Sequence, residues 1–252
     1  MKKKLEGIKI AVTRPHRLSS DLGEKIIERG GIPFFLPGVT IKELSNTALK
    51  AKKIVVPDII IFVSRNAAEI GGKILLECSN AFKTKKIFAV GVATAQELTK
   101  LGYQEAFAPL AESGGKSLSE HPALISVKNC DILLVKGVGG KTELADILES
   151  RGAKIQHFSC YERILPEWSS ASINLVNSTA IQAWLATSGE IIDNIFDMSD
   201  KIDVEVLRRT PWFVNHVNLL ETATIRHQIK EVLLTEGGDS GLVRGLETWF
   251  FE

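Results

Sequence analysis

Six short stretches of this chain, 8–12, 59–63, 87–90, 132–135, 180–186 and 212–214, are apolar at nearly every position. A strand with one wet face alternates apolar and polar residues. A strand without alternation is buried on both faces, as in a parallel sheet covered by helices. Between the runs lie segments of helical period, at 20–29, 67–76, 93–101, 142–151, 190–196 and 219–229. Gly30-Gly31 and Gly152 stand just past the first and fourth of these, where a glycine ends a helix. The alternation predicts an α/β fold with right-handed crossovers.

The chain also repeats itself. With Val12 set against Leu134, Arg14 meets Lys136, Leu22 meets Leu144, Ile26 meets Leu148, Arg29 meets Arg151 and Gly30 meets Gly152. One more residue of shift sets Phe62 on Leu185 and Ser64 on Thr187, and another sets Val90 on Val214. The sequence therefore reads as two copies of one α/β unit of roughly 120 residues, an ordinary size for a small domain. In each copy the first strand and helix lead into an extended segment, 32–44 with Pro33 and Pro37 and 154–167 with Pro166. Both are expected to be connectors and not core strands, because proline cannot donate to an inner ladder. Two such segments at equivalent places predict a pair of strands bridging two lobes. Each lobe is either contiguous or exchanges its first strand and helix with the other; the repeat allows both.

Composition narrows the partners. The 31 lysines and arginines balance 30 aspartates and glutamates, leaving a net charge of +1. That excludes the broad basic field of a protein held to nucleic acid through its phosphates. The three cysteines, Cys78, Cys130 and Cys160, are far apart and form no CxxC, so neither a zinc site nor a disulfide framework is expected, and a reducing cytoplasm suits them. The five histidines show no HxH or HExxH spacing, so no metal is expected. The basic Met1-Lys2-Lys3-Lys4 precedes no apolar run, and the stretch 54–63, broken by Pro57 and Asp58, falls short of the roughly 20 residues of a membrane span. The expectation is a cytoplasmic monomer with no membrane partner.

Open α/β sheets bind ligands beyond the carboxyl ends of their strands. The residues there are Thr13-Arg14-Pro15, Ser64-Arg65-Asn66, Gly91-Val92-Ala93-Thr94, Lys136-Gly137-Val138-Gly139-Gly140-Lys141, Thr187-Ser188-Gly189 and Asn215-His216. Hydroxyl and glycine residues dominate, and most precede a helix. Any one such loop is explained by helix capping alone. Five or six of them on one side favour a cleft for a large polyanion, held by main-chain N–H groups. Segment 136–142 is no nucleotide loop, because the pattern GxxxxGK[ST] needs glycine where Val135 stands. His157, beside Phe158 in a strand, is expected to be exposed or hydrogen-bonded and not catalytic. Tyrosine is scarce, and Tyr161 lies in a connector, where it either packs at the junction or presents its phenol as a proton donor.

Taken in order, Val12-Thr13-Arg14-Pro15, Leu36-Pro37, Phe62-Val63-Ser64-Arg65-Asn66-Ala67, Val90-Gly91 with Thr94-Ala95, Ser117-Leu118-Ser119-Glu120, Lys136-Gly137 with Gly139-Gly140-Lys141, Arg151-Gly152-Ala153, Tyr161-Glu162-Arg163 and Thr187-Ser188-Gly189-Glu190 resemble the uroporphyrinogen-III synthase family. The match spans almost the whole chain. It departs from the family where Lys136 and Lys141 replace frequent arginines, which keeps charge but loses the bidentate fork, and at Asn215-His216-Val217-Asn218, where a glycine- and threonine-rich turn is common.

The resemblance implies two flavodoxin-like lobes, 1–36 plus 168–252 and 38–165, joined by a two-stranded ladder. It implies a lyase of tetrapyrrole and heme biosynthesis that uses no cofactor. The substrate would be hydroxymethylbilane, a linear octa-acid, closed to uroporphyrinogen III with loss of water and inversion of the last ring. Transient contact with neighbouring pathway enzymes is a further expectation. The loop of Gly137, Gly139 and Gly140, with Ser64, Asn66, Gly91, Thr94, Thr187, Ser188 and Gly189, would hold carboxylates; Arg14 and Lys136 would add charge from equivalent places; Tyr161 would assist departure of the hydroxyl. The competing expectation is a non-enzymatic module of two lobes that clamps a ligand or a tetrapyrrole.

Overall fold

The computed structural model describes residues 4–15, 19–109, 114–140 and 142–251; Met1-Lys2-Lys3, His16 and Lys141 lie outside them. The strands described are β1 (Lys9–Val12), β2 (Ile32–Phe35), β3 (Thr40–Glu43), β4 (Ile59–Phe62), β5 (Lys86–Ala89), β6 (Ala106–Phe107), β7 (Asp131–Gly137), β8 (Lys154–Ile164), β9 (Ala183–Ala186), β10 (Trp212–Val214) and β11 (Val232–Leu234). They form two sheets, ordered β11-β10-β9-β1-β2 and β3-β8-β7-β4-β5-β6. Leaving β3 aside, the orders coincide when β1 is matched to β7, β2 to β8, β9 to β4, β10 to β5 and β11 to β6. The sequence repeat is thus a repeat of topology.

The pairings also choose between the two arrangements the repeat allows. Strand β1, from the first copy, pairs in parallel with β9 of the second, and β7 of the second pairs in parallel with β4 of the first. Each sheet therefore combines a strand–helix–strand piece of one copy with strands of the other, three in the five-stranded sheet and four, counting β3, in the six-stranded one. The chain divides into two compact units, Met1–Thr40 with Ile164–Glu252, and Ile41–Arg163.

All six apolar runs are inner strands, and β4 shows why. Ile59, Ile60, Ile61 and Phe62 are each no more than 4% exposed. Ile60 and Phe62 pack with Leu133 and Val135 on one face, while Ile59 and Ile61 pack with Ile132 and Leu134 on the other. Each such side chain contributes roughly 1.5–3 kcal/mol through full burial. No solvated face is left to produce alternation.

The segments expected to be mere connectors are partly sheet. Ile32–Phe35 runs parallel to β1, with Pro33 opposite Ile10, and Lys154–Tyr161 runs parallel to β7. Strand β2 is an edge, where a proline is tolerated because the outer row of backbone groups has no partner. Beyond these pairings β3 neighbours β8 at the edge of the six-stranded sheet, and the Leu44 N–H donates to the Cys160 carbonyl at 3.1 Å. The polar stretch after Trp168 holds a helix, Ser170–Asn177, whose N-cap Ser169 accepts from the Ser172 N–H at 3.1 Å. The C-terminal residues form the helix Gly238–Phe251, which buries Leu242, Val243 and Leu246 against the core of the first unit.

The helical segment expected at 67–76 opens as a π-helix, Ala67–Gly72, before continuing as the α-helix Lys73–Cys78. Gly71 lies against the sheet so closely that a Cβ there would collide with Val135 and stand 2.9 Å from the Cys160 sulfur. Gly71→Ala should therefore lower the free energy of unfolding by about 1–3 kcal/mol through overpacking; an unchanged denaturant midpoint would contradict this packing. Burial pushes the Cys160 thiol up to about 12, and all three cysteines are free. At pH 8 an alkylating reagent should label the half-buried Cys78 and Cys130 in the native chain and reach Cys160 only in denaturant. Fast native labelling of Cys160 would show that its sulfur is not packed against the π-helix.

Candidate functional site

The second unit contains a cleft of about 640 Å³ at the carboxyl ends of β4 and β7. Six of the residues singled out from sequence meet there: Ser64, Lys136, Gly137, Gly139, Gly140 and Tyr161. The feature that makes this convergence is a bulge. Lys136 is opposite Ser159, but Gly137 is opposite Tyr161, so Cys160 is an extra residue on β8. Cys160 and Tyr161 are consecutive and both nearly fully buried, which an unbroken strand of period two would forbid if one face were wet. The irregularity re-aims Tyr161.

Tyr161 both packs and presents its hydroxyl. Its ring joins the apolar cluster of Phe158 and Val135, while its Oη lies 3.0 Å from Ser64 Oγ at the cleft. The ring comes close against the bare backbone of Gly137. A Cβ there would stand 2.7 Å from two ring carbons and 3.1 Å from Oη. Ser64 Oγ also accepts the Ala67 N–H at 3.0 Å, which ties it to the start of the π-helix. The other tyrosine, Tyr103, is structural: burial pushes its phenol up, and its hydroxyl donates to the Gly72 carbonyl at 2.8 Å.

Past Gly137 the chain turns through Gly139 and Gly140, at φ 71° and 85°. A Cβ on either would meet nothing within 4 Å, so glycine is required by the left-handed backbone and not by crowding. A turn of this kind forms a concavity of main-chain N–H groups suited to an anion. Lys116, Lys136 and Arg163 line the cleft, and Glu143 is the one carboxylate among its described lining residues. The described lining thus carries more basic than acidic side chains although the chain is nearly neutral.

Other predicted residues lie elsewhere. Asn66 precedes the π-helix, Gly91 is the N-cap of the helix Val92–Lys100, and Thr94 is 4% exposed in its first turn; none of the three lines the cleft. In the first unit, Ser188 caps the helix Gly189–Phe196 by accepting the Ile191 N–H at 3.3 Å. Gly189 packs against Thr222, and Thr187 follows β9. Arg14 follows β1 and is paired with Asp239 at 2.5 Å, so its charge is already compensated.

The cleft also holds Gly114, Gly115, Lys116 and Ser117, and His157, which the sequence reading did not place in a site. A signal was present in the run Gly-Gly-Lys-Ser, but it follows a two-residue strand, β6, too short to mark a strand end. His157 is exposed, as expected, and its place at the cleft depends on the pairing of β7 with β8. Among the described residues no group of three or more His, Cys, Asp or Glu is placed to hold a metal, and no helix is long and apolar enough to cross a membrane.

A parallel sheet with a glycine-rich turn and a hydroxyl pair at its strand ends defines an α/β protein with a cleft where such sheets bind their ligands. Residues 20–232 match the family model described as Uroporphyrinogen-III synthase HemD, and the chain belongs to that family. It is 28% identical over 170 residues to uroporphyrinogen-III synthase of Proteus mirabilis, covering 66% of this chain and 85% of the relative. To the Salmonella typhimurium uroporphyrinogen-III synthase it is 21% identical over 228 residues, covering 88% and 91%. In fold it is similar to a mutant uroporphyrinogen III synthase from Thermus thermophilus (TM-score 0.59, 13% identity, 96% and 98% covered). The uroporphyrinogen-III synthetase of Helicobacter pylori gives the same TM-score, 0.59, at 14% identity, with 94% and 97% covered.

Gly137→Ala should push the Tyr161 ring off β7, lowering stability by about 1–3 kcal/mol and altering the near-ultraviolet circular dichroism. A native-like spectrum and an unchanged midpoint would mean that ring and glycine are not in contact.

Proposed function

We infer that this chain cyclises hydroxymethylbilane to uroporphyrinogen III, with loss of water and inversion of ring D. The observation that carries the reading is the family match over residues 20–232. A non-enzymatic clamp is not favoured, because the curated relatives that match over most of their length are named as synthases.

The chemistry asks the protein for two things. Loss of the hydroxyl from ring A leaves an azafulvene cation. It must be met by the substituted carbon of ring D, giving a spiro intermediate that fragments and recloses the other way round. Left alone, the free carbon of ring D closes first and gives the symmetrical isomer. Holding the bilane in one conformation is therefore the larger part of catalysis. The turn at Gly139 and Gly140, with Lys116 and Lys136, supports a role in gripping carboxylates at the cleft of the second unit. We assign Gly91, Thr94, Asn66, Thr187, Ser188, Gly189 and Arg14 no more than supporting contacts.

The second requirement is a proton for the departing hydroxyl. Tyr161 is our candidate donor: it lines the cleft, its Oη is 3.0 Å from Ser64 Oγ, and its ring is packed against Gly137, so the donor sits on a rigid support. The reaction would take place in the cytoplasm, where three unpaired cysteines are at home, and in transient contact with the enzyme that supplies the labile bilane.

Incubation with freshly made hydroxymethylbilane, followed by isomer analysis, tests the reading. Type III product is expected; type I alone would sink it. Tyr161→Phe should slow turnover by roughly 100-fold, in the range of general acid catalysis, with type III still the enzymic product once spontaneous type I is subtracted. An unchanged rate would leave the phenol a packing role only. Lys136→Ala should raise KM by about tenfold with a smaller effect on kcat, as expected for a charge-assisted contact made throughout the reaction.

A further inference from the structure

We propose that Ser64 is a positioning residue that acts through Tyr161: it donates its hydroxyl proton to Tyr161 Oη, so that the phenol's own proton is turned toward the cleft and the phenolate left behind is stabilised. The proposal rests on the cyclase reading, in which Tyr161 supplies the proton.

Three observations carry it. Ser64 Oγ accepts the Ala67 N–H at 3.0 Å, which holds the oxygen in place and leaves its one O–H as the group to be spent. Tyr161 Oη, also at 3.0 Å, is the other polar atom within reach of Oγ among the described residues. The phenol cannot swing away to find another partner, because Tyr161 is 3% exposed and its ring is packed close against Gly137. A phenol used as a donor to substrate needs a donor behind it, since its oxygen gains negative charge as the proton leaves. Ser64 is in place to be that donor, and the backbone N–H on its own oxygen polarises it further.

The step balances. The C–O bond of the hydroxymethyl group breaks and its electron pair stays on oxygen. The Tyr161 proton joins that oxygen, and water leaves. Ser64 keeps its proton while hydrogen-bonding the phenolate. The phenolate regains a proton when the free carbon of ring D loses one on recovering aromaticity. The carboxylate-binding role expected of Ser64 from sequence is replaced by this one, because its donor is committed to Tyr161.

The test is a double-mutant cycle with hydroxymethylbilane as substrate. Ser64→Ala should lower kcat roughly 10- to 100-fold, the worth of a hydrogen bond to a charged oxygen, with KM within about twofold. Ser64→Thr, which keeps the hydroxyl, should restore most of the rate. In the Tyr161→Phe background, Ser64→Ala should have no further effect on kcat. A loss of the same size in both backgrounds, a loss confined to KM, or no rescue by threonine would overturn the proposal while leaving the cyclase reading intact. Absence of type III product from the unsubstituted chain would overturn both. Circular dichroism of each variant separates these results from a chain that fails to fold, and a Ser64→Ala variant that unfolds while Ser64→Thr folds and turns over normally counts for a merely structural hydroxyl and against the relay.

Discussion

The contact of the Tyr161 ring with the bare backbone of Gly137 is what the rest of the site depends on. It exists because β8 carries one residue more than β7 at that point, so that the strand is buried on consecutive positions and the phenol is delivered to the end of the sheet. The glycine that receives the ring also begins the turn through Gly139 and Gly140. One short stretch of backbone thus supports the phenol proposed as proton donor and forms the turn proposed to hold carboxylates. A side chain larger than hydrogen at 137 would disturb both.

The remainder of the second unit is a scaffold for that stretch. Strands β4 and β7 are packed on both faces by separate apolar clusters, which fixes their carboxyl ends relative to one another. Ser64 leaves β4 and Lys136 and Gly137 end β7, so the distance between Ser64 Oγ and Tyr161 Oη is set by sheet register and by the bulge, not by flexible loops. A reaction whose outcome is decided by conformation suits such a support, because little of the binding energy is lost in ordering the protein.

Much of this was legible in the residues. Runs such as Ile59-Ile60-Ile61-Phe62 announce strands buried on two faces, and the pairing of Val12 with Leu134 along the sequence anticipates two sheets of one strand order. Ser64, Lys136 and the glycines after it stand just past the apolar runs, at the strand ends where an α/β sheet binds its ligand. Strand β2 was hidden by Pro33, because an edge position that tolerates proline has no sequence mark of its own. The bulge was invisible, since an extra residue is defined only against a partner strand. His157 was missed for the same reason, since it reaches the cleft through the pairing of β8 with β7, and Lys116 because the strand before its Gly-Gly-Lys-Ser run is only two residues long. Thr94, chosen as a hydroxyl near a strand end, lies in the first turn of the helix expected there and is buried, and a small buried residue serves packing as readily as binding.

The central claim is that main-chain N–H groups beside Tyr161 hold an acidic tetrapyrrole. Backbone amide NMR of the full chain, titrated anaerobically with uroporphyrinogen III, measures this directly. Saturable shifts at the Gly139 and Gly140 amides, with smaller changes across the rest of the second unit, are the predicted result. Unmoved amides at both glycines, while resonances elsewhere titrate, would contradict the account.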